Sequence, residues 1–108
     1  MPDSLPDDLT APPGKLSRTV LSLGKARVGA RGHIVALDMS LAAGAGLPPA
    51  ELERRLLELG FVEGANIELI HEGLFGRDPI AVRVADTTIA LRRREAMAII
   101  VETEGVGS

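Results

Sequence analysis

The chain has 108 residues, a formal net charge of -3, 12 glycines, seven prolines, two phenylalanines, and no tryptophan, tyrosine or cysteine. That length fits one domain, since about 100 to 150 residues is the commonest domain size and buries roughly two thirds of the unfolded surface. Without cysteine there is no disulfide framework, thiolate zinc site, iron–sulfur cluster or cysteine nucleophile, and a reducing cytoplasm is permitted. With Phe61 and Phe75 as the only aromatic residues, base stacking, quaternary-amine cages and proline-peptide grooves lack their usual material.

The N-terminus, Met1-Pro2-Asp3-Ser4-Leu5-Pro6-Asp7-Asp8, has neither a basic n-region nor an apolar h-region, so the expected location is inside the cell. No apolar stretch approaches the ~20 residues that cross a bilayer, and direct membrane insertion is not expected. Residues 1–16 hold four prolines and three aspartates and read as a disordered tail; residues 17–104 read as the folded domain, and 105–108 as a flexible C-terminus.

From Ser17, the apolar anchors Val20, Leu21, Leu23 and Val28 suggest a short helical turn followed by a strand, with Gly29 and Gly32 as turns. His33 to Asp38 reads as a strand on its β-branched content, and the glycine-alanine stretch up to Leu47 as a loop. Pro48 and Pro49 suit the first positions of a helix, where a missing amide donor costs nothing. Leu52, Leu56 and Leu59 recur at helical spacing, and Gly60 stands where a left-handed C-terminal cap is expected, with Phe61 folding back beyond it.

After Gly64 the period becomes two: Ile67, Leu69 and His71 fall on one face of a strand. Gly73 to Pro79 reads as a hairpin connection, Val82 and Val84 mark the return strand, and Thr88 to Leu91 another. Arg92 to Met97 supports about one helical turn, and Ile99-Ile100-Val101 a last strand. The fold class is mainly β with helices: about five short strands and one main α-helix, best protected by closing into a small barrel.

The chemistry-bearing residues are few. His33 and His71 are the only histidines; with Glu72 or Asp38 they are weak metal candidates if neighbouring strands bring them together, but an HExxH motif would need a histidine where Phe75 stands. No serine lies in a GxSxG elbow and no glycine-rich loop carries the GKS/T of a phosphate site, so neither an enzyme nor a nucleotide or other cofactor is expected. Arg92-Arg93-Arg94 reads either as an anion-docking patch or as a solvated turn partnered by Glu95. Nucleic acid is not the expected partner, because aromatic stacking is missing.

Four segments carry a resemblance. Arg54-Arg55-Leu56-Leu57-Glu58-Leu59-Gly60-Phe61-Val62-Glu63-Gly64-Ala65 resembles the hallmark of the FeoA family, the ferrous iron transport protein A domain. Phe75 to Val82, Ile89 to Ala96 and Leu23 to Val35 resemble its Gly/Asp-Pro, Ala-Leu-Arg and Gly-x-Ile segments, in the same order. The resemblance implies an SH3-like barrel acting in the cytoplasm as the small accessory component of bacterial ferrous iron uptake. Its implied partner is FeoB, a membrane GTPase-permease, reached by protein–protein contact and placing the chain at the periphery of the inner membrane; weak self-association is allowed. The expected contact residues are Arg55, Leu59, Gly60 and Phe61 at the helix end, with Arg92, Arg93 and Arg94 as a second patch. The alternative is a metal-responsive or nucleic-acid-binding adaptor related to the C-terminal barrel of metal-dependent repressors. The expected absence of a helix-turn-helix in residues 1–19 counts against it.

Overall fold

In the computed structural model, which describes residues 18–104, six antiparallel strands form a single curled sheet in the order β1-β6-β2-β3-β4-β5. The strands are β1 (Arg18–Ser22), β2 (Arg31–Leu37), β3 (Asn66–Phe75), β4 (Asp78–Val84), β5 (Thr87–Leu91) and β6 (Ile99–Glu104). The helices are α1 (Pro49–Glu58) and the single turn α2 (Arg93–Ala96), with 3-10 turns at Leu23–Lys25 and Met39–Ala42. The mainly-β barrel with one main helix is as expected, with six strands where five were expected. The tail assigned to residues 1–16 and the C-terminal residues 105–108 lie outside the described residues.

The helix follows its sequence signals closely. Pro48 precedes it, Glu51 complements its first turn, and Leu52 and Leu56 are buried. Its end is a Schellman cap: the Gly60 amide donates to the Leu57 carbonyl at 3.0 Å and the Phe61 amide to the Leu56 carbonyl at 3.0 Å. Gly60 has φ +105, a conformation that side-chain-bearing residues rarely adopt. Phe61 is drawn under the helix end and fully buried, in one core with Leu23, Leu56, Leu69, Val82 and Ile99. Along β4 the expected alternation holds, with Ile80, Val82 and Val84 buried and Arg83 exposed.

Four local readings are corrected. The first segment is a strand followed by a 3-10 turn, the reverse of the expected order; β1 is held by pairing with β6, a partner some 80 residues away. Gly32 is not a turn: it lies inside β2, where a Cβ would run into the Glu102 carbonyl of β6. His71 leaves the face of Ile67 and Leu69, because the β3–β4 register shifts between Leu69 and His71 and turns it outward. The β3–β4 connection is only Gly76–Arg77, since the strands run to Phe75 and resume at Asp78.

Candidate partner-contact surface

The arginine run divides on folding. α2 starts directly after β5, and the Glu95 carboxylate accepts the Arg92 backbone amide at 3.1 Å, closing the first turn. That turn sends Arg92 and Arg94 to solvent and Arg93 inward, with its side chain 12% exposed. The Arg93 guanidinium donates to the Gly24 carbonyl at 3.1 Å, the Ala26 carbonyl at 2.8 Å, the Arg77 carbonyl at 2.8 Å and the Glu72 carboxylate at 2.8 Å. Its backbone amide donates to Asp78 Oδ1 at 2.8 Å. The planar fork of five donors suits several fixed acceptors at once. Arg93 therefore joins the 3-10 turn after β1 to the β3–β4 hairpin and is withdrawn from the contact patch expected of it.

At the helix end, Arg55 is exposed and Leu59 and Gly60 are half-buried. Phe61, expected at the contact surface, is wholly in the core because the cap needs its ring as the covering hydrophobic contact. The aromatic face available to a partner belongs instead to Phe75, 88% exposed beside Leu74 at 93%. Read from sequence, this pair is no more than part of a connection. The signal that could have found it is two large apolar residues between glycines, Gly73-Leu74-Phe75-Gly76, at the end of a hairpin where none of the described residues folds over them.

The histidines do not meet. His33 sits opposite Asn66 in the β2–β3 register, five positions from His71, which puts their backbones roughly 16–17 Å apart at the usual rise per residue. His33 Nε2 lies 3.2 Å from Glu102 Oε1, Glu72 is committed to Arg93, and Asp38 accepts from the Ser40 amide and hydroxyl at 3.1 and 2.6 Å. Among the described residues no group of three or more His, Cys, Asp or Glu side chains converges. Beside His33 an open cleft of about 530 Å³ runs over the β2–β3 junction, lined by Arg31, Asn66, Glu68 and Arg83 among others. Arg31 and Glu68, cross-strand neighbours in its lining, lie 3.9 Å apart, an exposed pair that contributes little. Among the described residues no helix is long and apolar enough to cross a membrane.

Six short antiparallel strands curled around a common core, with one capped helix and arginines presented at its surface, define a small SH3-like barrel. The chain belongs to the FeoA family, a family associated with ferrous iron transport: the FeoA domain model matches residues 21–103. Iron(II) transport protein A from Clostridium thermocellum shares 31% identity, with a TM-score of 0.60 over 81% of this chain and 46% of that one. FeoA from Stenotrophomonas maltophilia, solved with zinc and described as a prokaryotic SH3 domain protein, shares 28% identity over 78% of this chain and 96% of that one, with a TM-score of 0.58. A manganese-dependent transcriptional repressor has the same fold over 81% of this chain and 43% of its own, at 18% identity and a TM-score of 0.63. No curated protein matches the chain.

Proposed function

We propose that this chain is a cytoplasmic accessory protein of bacterial ferrous iron uptake that acts by docking on the cytoplasmic part of a FeoB-type GTPase-permease. The observation that carries the reading is the FeoA domain match across residues 21–103. In this reading the iron is the partner's cargo and the nucleotide the partner's ligand. Arg55, Arg92 and Arg94 are the side chains free to meet an acidic partner surface, and Leu59 with Gly60 shapes the helix end beside Arg55. The repressor-type alternative gains the fold alone from the manganese-dependent repressor, and the separation of His33 from His71 gives it no ligand set.

The test is binding of the full chain to the cytoplasmic part of the cognate FeoB, measured by calorimetry. The expected result is saturable binding, weakened about tenfold or more in the charge-reversed variant Arg55→Glu/Arg92→Glu/Arg94→Glu, with the melting temperature nearly unchanged. Absence of binding by the unaltered chain, together with normal ferrous uptake in a strain lacking only this gene, overturns the reading.

A further inference from the structure

Among the described residues, Leu74 and Phe75 stand apart from every other exposed apolar side chain. The remaining large ones, Val20, Val28, Leu41, Leu57 and Val62, are 43–61% exposed, whereas Leu74 and Phe75 are 93% and 88% exposed and adjacent, at the end of the β3–β4 hairpin. A flexible loop would fold such a pair back onto the protein. Here the backbone forbids it. Gly76 and Arg77 form a two-residue turn with φ of 70° and 61°, positive at both positions as the tightest hairpin turns require. The β3–β4 register shifts between Glu72 and Phe75 opposite Pro79, whose missing amide donor is tolerated at a bulge. Gly73 is pressed against the opposite strand, where a Cβ would run into the Asp78 carbonyl. Arg77, a non-glycine residue in the left-handed region, is held there by the Arg93 side chain on its carbonyl.

The charges at this end are equally arranged. Glu72 pairs with the Arg93 guanidinium, while Asp78 and Glu95 accept only the backbone amides of Arg93 and Arg92. Arg77, Arg92 and Arg94 are exposed, on residues stitched to the hairpin end through Arg93. A chain of net charge -3 thus presents a rigid apolar prong beside a local cationic excess, with Arg77, Arg92, Arg93 and Arg94 against Glu72, Asp78 and Glu95.

We propose that this prong seats directly in the interfacial region of an anionic lipid bilayer, with Leu74 and Phe75 below the headgroups and Arg77, Arg92 and Arg94 on the lipid phosphates. The proposal goes beyond the docking on FeoB described above and needs no FeoB to be true. A bilayer fits better than a protein pocket for reasons of size and shape. Two side chains offer about 350 Å² of apolar contact, well short of the ~800 Å² per partner of a standard protein interface. A bilayer asks for no complementary pocket, and the pairing of a small apolar insertion with nearby cations is how peripheral proteins reach anionic membranes reversibly.

The chain lacks tryptophan and tyrosine, so the Phe75→Trp variant carries a single indole, in a site where it perturbs no packing. Full-length protein is mixed with phosphatidylcholine vesicles with and without phosphatidylglycerol, free of any other protein. The expected result for Phe75→Trp is a blue shift of the indole emission and its quenching by brominated lipid with the phosphatidylglycerol vesicles, fading as salt rises. Leu57→Trp, on the exposed side of α1, should show neither. In sedimentation with the same vesicles, Leu74→Ser/Phe75→Ser should lower partitioning about tenfold or more with an unchanged melting temperature. Unshifted emission from Phe75→Trp, an equal shift from Leu57→Trp, or undiminished partitioning of the double-serine variant overturns the proposal. So does a double-serine variant that loses FeoB binding in solution yet partitions normally, which would make the prong a protein contact. Vesicle binding in a chain that fails to bind FeoB would leave the lipid proposal standing and remove the other.

Discussion

Arg93 shows how little a side chain's identity says about its role. It stands between two other arginines, and only the inward turn of α2 distinguishes it from them. Its guanidinium serves three backbone carbonyls and a carboxylate, and two of those carbonyls belong to the buried residues Gly24 and Ala26, where solvent cannot readily replace it. Leaving such acceptors unpaired costs about 1–3 kcal/mol each. Glu72 is partly exposed and recovers solvation, so Arg93→Ala should destabilise the fold by about 2–4 kcal/mol, less than a fully buried ion pair would lose. Arg93→Lys should fall between, because a lysine ammonium cannot span acceptors on three segments. Urea denaturation of both variants measures this, and a loss below about 1 kcal/mol for the alanine variant would show the network to be incidental. No spacing rule could have read this from Arg-Arg-Arg, since the acceptors come from residues up to 69 positions away. The two phenylalanines make the complementary point: the cap rule places Phe61 as a folded-back contact, and that same placement removes it from any interface and leaves Phe75 exposed.

At the scale of elements, what was legible is what local rules determine. The limits of α1 follow from Pro49 at its start and Gly60 at its end, and β4 follows from its alternation. The cap can be tested on its own terms. A Cβ at Gly60 would meet only the Val84 methyls at 3.9 Å, an ordinary contact, so any penalty is conformational rather than steric crowding. Gly60→Val should therefore cost about 2–3 kcal/mol, and Gly60→Asn clearly less, because asparagine tolerates the left-handed region and a β-branched residue does not. Thermal melts of the two variants check the order; equal losses would mean that space, not φ, governs the position. What local rules missed is what distant pairing determines. The assignment of 18–22 as strand depends on β6, and the outward turn of His71 on a register shift against β4. The short apolar run at Ile99 gave no sign that β6 continues through Glu102 and the buried Thr103 to lie between β1 and β2.

Across the whole molecule the sheet falls into two sets of strands, β1-β6-β2 and β3-β4-β5. Each is internally well paired, but the β2–β3 junction between them has only the pairs Arg31 with Glu68, Gly32 with Ile67 and His33 with Asn66. The shared core spans the junction, and so do the bonds from the Gly29 amide to the Leu69 carbonyl at 2.8 Å and from the Leu69 amide to the Ala30 carbonyl at 2.9 Å. Arg93 reinforces it from the side, with two carbonyl partners after β1 and its other partners on the β3–β4 hairpin. β1 and β5 are the two ends of the strand order, and among the described residues no strand pairing joins them. Stability should be graded accordingly, because amides exchange through the least costly local opening that frees them. Amides of Ile99 and Val101, buried in a strand paired on both sides, should exchange only with global unfolding. Those of Gly29 and Leu69, at the junction, should exchange sooner, and outward-facing amides of β5 sooner still. In Arg93→Ala the junction amides should lose more protection than the Ile80 to Val84 stretch, whose pairing with β5 does not involve the arginine. Hydrogen exchange followed by NMR resolves each position, and a uniform loss of protection across both sets would show that the barrel opens as one unit and that Arg93 is no clamp between them.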